Sequence, residues 1–118
     1  MQKPRSNTKP WGCNRKNLYK PVNFEPSNKY PVIFDVLGDP ANATVQDVWS
    51  GGSLWHQYLA NLGYIIVSIE NRGANAPRGR EWRKCIYGEV GTFASEDQAR
   101  GIQDLARQYS FIDTARIG

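Results

Sequence analysis

Two short apolar runs constrain this chain more than any other feature. Val32-Ile33-Phe34-Asp35-Val36-Leu37 and Tyr64-Ile65-Ile66-Val67-Ser68-Ile69 both have strand length and little polar interruption. Such runs suit strands covered on both faces rather than alternating surface strands. Residues 38–63 lie between them. Within that stretch Leu54, Trp55, Tyr58, Leu59 and Leu62 recur at helical spacing, with Ser53 at the N-cap position and Gly63 at the C′ position. Strand, helix, strand with so long a crossover predicts a parallel βαβ unit of right-handed connection. Pro31 fits because it stands at the strand entrance.

The second half continues the pattern. After Ile69 comes a stretch dense in Arg, Gly and Pro, running to about Arg80, then a short helix over 81–87. The next clear element is a helix over 95–109, started by a Ser95–Gln98 capping box and carrying Ala99, Ile102, Leu105, Ala106 and Tyr109 on one stripe. Gly101 costs that helix about 1 kcal/mol relative to alanine. Phe111–Gly118 leads toward a further strand, as a βαβα alternation requires. Upstream, Leu18-Tyr19-Lys20 reads as a short strand ended by Pro21. The expected class is therefore α/β, with parallel strands over 32–37 and 64–69 and helices over 53–62 and 95–109. At 118 residues the chain is one small domain at most.

The formal net charge of +4 suggests nucleic acid until the charges are located. Residues 1–20 hold Lys3, Arg5, Lys9, Arg15, Lys16 and Lys20 with no acid, whereas residues 21–118 hold more acids than bases. Residues 1–17 are expected to be an unstructured basic segment ahead of a folded part over 18–118. No apolar stretch approaches a membrane span, and residues 1–20 lack the apolar core of a signal peptide. A cytoplasmic location is the expectation. Cys13 and Cys85 have no CxxC spacing and read as free thiols. His56 is the only histidine, so no His-rich metal site exists, and neither cofactor nor metal is expected.

Three constellations suggest chemistry. Asp47, Ser53 and His56 supply the residue types of a nucleophilic triad. Ser53 is better accounted for as a helix cap, and Gly51-Gly52-Ser53-Leu54-Trp55 misses the last glycine of G-x-S-x-G. Arg72, Arg78, Arg80, Arg83 and Lys84 could bind phosphate, but Glu70, Glu81 and Glu89 offer internal partners and favour a tied structural loop. Trp49, Trp55, Trp82 and Tyr58 read as packing rather than as an aromatic platform. These readings end at an α/β unit with a glycine-containing loop after its first central strand and no complete catalytic set.

The stretches KPVNFEPSNKYPVIFDVLGDP, VQDVWSGGSLWHQYLANLGYIIVSIENRG and GREWRKCIYGEVGTFASEDQ resemble the prolyl oligopeptidase family of serine peptidases, in its dipeptidyl peptidase IV branch. The likeness covers residues 18–118. It implies an α/β-hydrolase domain in which Val32–Leu37 is the third strand, Tyr64–Ile69 the fourth and Ser95–Tyr109 the helix before the fifth. The resemblance places the nucleophilic serine just after the fifth strand, whose start it puts at Ala115-Arg116-Ile117-Gly118. Serine, acid and histidine of the triad would then all lie beyond Gly118, leaving no catalytic residue in the chain. The family carries a Tyr-Gly-Gly-Pro-like segment after the third strand, with the tyrosine hydroxyl donating to the oxyanion. Leu37-Gly38-Asp39-Pro40 stands there, so Leu37 occupies the donor position without a donor, and Asp39 brings the wrong sign of charge.

The resemblance thus implies hydrolysis of peptide bonds near proline for the whole family member, with a peptide as substrate, and inactivity for this chain alone. With the fifth strand missing, Val32–Leu37 would present an open apolar edge, suited to self-association or to a partner's strand. A non-catalytic interaction module using that edge is the second reading, and a nucleic-acid binder using the basic N-terminal segment the third. Neither nucleic acid nor membrane is expected as a partner on the first.

Overall fold

The computed structural model describes residues 16–36, 45, 54–75 and 78–118. Its elements run β1 (Lys16–Tyr19), β2 (Tyr30–Asp35), α1 (Leu54–Asn61), β3 (Ile65–Ile69), α2 (Arg80–Lys84), α3 (Thr92–Gln108) and β4 (Ile112–Ile117). The four strands form one sheet in the order β1-β3-β2-β4. β2 is parallel to β3, with Val32 opposite Ile65 and Asp35 opposite Ser68. β4 is parallel to β2, and β1 closes the far side antiparallel to β3. The expected βαβ unit is therefore present.

β3 is the centre of the molecule, and all five of its residues are buried. Side chains alternate across a strand, so Ile65, Val67 and Ile69 share one face with Val32, Leu105 of α3, Phe111 and Ile112. Ile66 and Ser68 point to the opposite face, where α1 lies. Helices on both faces explain why β3 reads as an uninterrupted apolar run. Leu105 is buried in α3, and truncating it to alanine would cost about 2–5 kcal/mol.

Four expectations change. First, the sheet takes in Lys16 and Asn17, two residues ahead of the expected start of the folded part. Lys20 lies over the rings of Phe24 and Phe111, and Lys16 over Tyr109, so these two cations belong to the fold.

Second, β2 has no open edge. β4 occupies the place beside β2, away from β3, that the resemblance assigns to the fifth strand, and it begins at Ile112 rather than at Ala115. Gly118 extends the ladder: its N–H donates to the Val32 carbonyl at 3.0 Å and its carbonyl accepts from Phe34 at 2.7 Å. The open edge expected at Val32–Leu37 is therefore absent over Tyr30–Phe34, where β4 and Gly118 pair with β2. The register slips between Tyr30 and Val32. Pro31 stands at that step and has no N–H to give β4. β4 bulges there, with Asp113 accepting from the Ala115 N–H at 3.0 Å and the Arg116 Nε at 2.6 Å.

Third, α3 starts at Thr92, one turn ahead of Ser95. Gly91 turns the chain into the helix at φ 95°. The Ser95 hydroxyl then bonds back to the Gly91 carbonyl at 2.8 Å instead of capping.

Fourth, the apolar stripe of α1 faces outward. Leu54 is 81% exposed and Trp55 60%, and Tyr58 and Leu62 are also exposed. Ala60 is buried, with His56 and Leu59 half-buried. Both faces of α1 obey helical spacing, and the smaller one packs on the sheet. None of the described helices is long and apolar enough to cross a membrane.

Candidate functional site

In parallel sheets covered by helices, chemistry gathers at the carboxyl ends of the strands, where loops can approach one another. β2, β3 and β4 are parallel, so they all end on the same side. β2 leaves through Val36, β3 through Glu70-Asn71-Arg72, and β4 reaches Gly118 beside Val32 and Phe34. Leu37, Gly38, Asp39 and Pro40, which the resemblance makes the oxyanion segment, lie outside the described residues, as do Asp47, Trp49, Ser53 and Cys13.

The exit of β3 is the best-defined part of this end. Glu70 is 3% exposed, and its Oε1 accepts the Val45 N–H at 2.8 Å. Two residues on, Arg72 meets Asp97 of α3. The Arg72 N–H donates to Asp97 Oδ2 at 2.7 Å, and its Nε lies 3.0 Å from both carboxylate oxygens. Arg72 Nη2 is 2.9 Å from Asp97 Oδ1 and 3.3 Å from Glu96 Oε2. The Phe93 ring covers the guanidinium at 4.2 Å. Hydrogen bonding to Asp97 raises the Arg72 pKa above its ordinary value; burial opposes this, and the charges of Asp97 and Glu96 add to it. Gln98, next to Asp97 in α3, donates from Nε2 to the Ile69 carbonyl at 2.8 Å. The start of α3 is thus bolted to the end of β3 by main chain and side chain together.

The basic loop is tied, as expected, and its partners include residues of α3 that the sequence did not point to. Arg72 pairs on α3, and Arg78 stacks on the Trp82 ring at 4.5 Å. Trp82 is fully buried and donates from Nε1 to the Ala74 carbonyl at 3.0 Å. Gly73, at φ 86°, leaves no room for a side chain beside Ile86. Cys85 is a free thiol that donates to the Trp82 carbonyl. Burial pushes its pKa up.

His56 does not join a triad among the described residues. Its Nε2 lies 3.4 Å from Asp35 Oδ2, and the Ser68 hydroxyl donates to that same oxygen at 3.4 Å. The aspartate stands between serine and histidine, so the imidazole is not placed to take the serine proton. Tyr19 packs against the His56 ring at 5.0 Å. This cluster fastens α1 to β1, β2 and β3. Among the described residues, no three His, Cys, Asp or Glu side chains are grouped to hold a metal ion.

Sequence reasoning missed Asp97 as the partner of Arg72 and the Val45 N–H as a partner of Glu70. A signal existed for Asp97. It lies with Gln98 on the α3 stripe continued toward the N-terminus through Gly101 and Leu105, and a carboxylate on a buried stripe requires a donor.

A mostly parallel sheet with helices on both faces, and the ends of its parallel strands meeting on one side, is the framework of part of an α/β-hydrolase domain. The comparisons agree. The profile of the prolyl oligopeptidase family matches residues 52–118. Dipeptidyl peptidase 8 of Mus musculus is 37% identical over 102 residues, which is 86% of this chain and 11% of that protein. The Homo sapiens protein of the same name is 36% identical over the same coverage. The crystal structure of Porphyromonas gingivalis dipeptidyl peptidase 4 superposes with a TM-score of 0.75 at 35% identity, covering 89% of this chain and 14% of that one. The chain belongs to the prolyl oligopeptidase family. It spans about a tenth of the length of the curated relatives it matches.

Proposed function

We propose that this chain supplies the early part of the hydrolase domain of a dipeptidyl-peptidase-type serine peptidase, acting on peptide bonds near proline. The observation that carries this reading is the breadth of the likeness. Identity of 37% to a dipeptidyl peptidase extends over 102 residues, 86% of the chain, instead of resting on one motif. In this reading the residues in hand are a scaffold. They align the strand ends and the connection after β2, while the nucleophile and its base are supplied by sequence outside these 118 residues. Alone, the chain turns over no substrate.

Leu37 and Asp39 tune that site downward. Leucine supplies no hydrogen-bond donor to a developing oxyanion, and losing one such donor costs on the order of 10²–10³ in rate. The test is a chimera of mouse dipeptidyl peptidase 8 in which residues 16–118 of this chain replace the matching segment. The chimera should cleave a proline-containing chromogenic dipeptide slowly, and Leu37→Tyr with Asp39→Gly should raise its kcat by one to three orders of magnitude. A folded chimera whose kcat the double change leaves untouched would defeat this reading of the loop.

A further inference from the structure

We infer that Glu70 is a positioning residue for the connection between β2 and α1, fixing where that connection returns to the sheet. A carboxylate placed out of water is unfavourable unless hydrogen-bonded. In many settings an apolar residue of similar volume would serve stability as well or better. Glu70 is nonetheless almost wholly buried at the exit of the central strand, and it grips the backbone N–H of Val45, itself 7% exposed. A bond from a charged carboxylate to a main-chain N–H is strong and directional. It fixes backbone position irrespective of the side chain at 45, which apolar packing alone cannot do.

The neighbouring contacts make this anchor rigid. Asn71 Nδ2 bonds to the Arg72 carbonyl, and Arg72 is locked to Asp97 through its own N–H and its guanidinium. The exit of β3 therefore holds the start of α3 with Arg72 and the β2–α1 connection with Glu70. The connection leaves the sheet at Val36 and is caught again at Val45. Its importance for catalysis rests on the peptidase reading, because that is where the resemblance puts the oxyanion segment.

The test is amide hydrogen exchange, residue by residue, on the 118-residue chain and its Glu70→Gln and Glu70→Leu variants. Loss of a charge-assisted bond should speed exchange at Val45 in Glu70→Leu by roughly ten- to a hundredfold. Glu70→Gln keeps an acceptor oxygen and should show a smaller rise at the same amide. The amides of Ile65–Ile69 should stay slow in both. The inference is overturned if Val45 exchanges at the parental rate in folded Glu70→Leu, or if both variants speed Ile65–Ile69 as much as Val45, the mark of a general stability residue. Should Glu70→Leu fail to fold, a Val45 rate unchanged in Glu70→Gln overturns it equally. Exchange needs no substrate, so a Val45-specific effect beside an inactive chimera would discard the peptidase reading and keep the anchor.

Discussion

Arg72 and Asp97 bind each other twice over, the Arg72 N–H reaching Asp97 Oδ2 at 2.7 Å while its guanidinium lies flat against the same carboxylate. Both side chains are largely out of water. Breaking one member of such a pair leaves an uncompensated charge, so Asp97→Ala should destabilise the chain by about 3 kcal/mol. Arg72→Lys should recover little, because lysine cannot match the forked geometry. Glu96 is half-exposed, and Glu96→Gln should cost under about 1 kcal/mol. Urea denaturation midpoints decide the order. Equal effects at Asp97 and Glu96 would contradict it.

Gly101 carries a penalty as a helix residue that the structure explains. A Cβ there would come within 2.5 Å of Ile69 Cδ1 and 3.3 Å of its Cγ2. Gly101→Ala gains about 1 kcal/mol of helix propensity but forces a core side chain to move, at about 1–3 kcal/mol. The expected net is destabilisation. Ile69→Val removes Cδ1, so adding Gly101→Ala to it should do less harm than adding it to the parent. A double-mutant cycle on thermal midpoints checks this, and strict additivity would show that the two residues do not clash.

The bulge in β4 gives a pH signature. The Arg116 hydrogen bond, with the Ala115 N–H, lowers the Asp113 pKa below the ordinary aspartate value. A lowered folded pKa favours the ionised form in the folded state. The stability it contributes is complete above the unfolded value of about 3.9 and disappears as pH falls through the lower folded value. An NMR titration of the Asp113 carboxyl should show a midpoint that rises in Arg116→Gln. An unchanged midpoint would mean that Arg116 does not hold the bulge.

Burial raises the Cys85 pKa and its Sγ donates to the Trp82 carbonyl. Thiolate is the reactive form, so in a Cys13→Ser chain Cys85 should react with a disulfide reagent more slowly at pH 8 than after unfolding in urea. Equal rates folded and unfolded would contradict this burial.

How far the fold can be read from sequence differs element by element. β2, β3 and α1 follow from apolar runs and 3.6-residue spacing, because burial selects those patterns directly. Which face of α1 turns inward does not follow. Trp55 and Tyr58 stack on each other outside, while Ala60 lets the helix approach the sheet, and periodicity is blind to that choice. β4 is hard to see because Asp113-Thr114-Ala115-Arg116 has a half-exposed aspartate followed by three exposed residues, and an irregular register. At the candidate site, the basic loop is conspicuous in sequence, but Arg72 pairs with Glu96 and Asp97 on α3, the latter twenty-five positions away. Long-range pairing is set by tertiary placement, which local composition does not encode.

We propose that these 118 residues form a hydrolase scaffold with no working nucleophile of their own. Incubating the purified, folded chain with a fluorophosphonate probe, alongside a proline-containing chromogenic dipeptide, tests it most directly. No labelled serine and no turnover above buffer are expected. Labelling of any serine that is abolished by His56→Ala, with matching turnover, would contradict it.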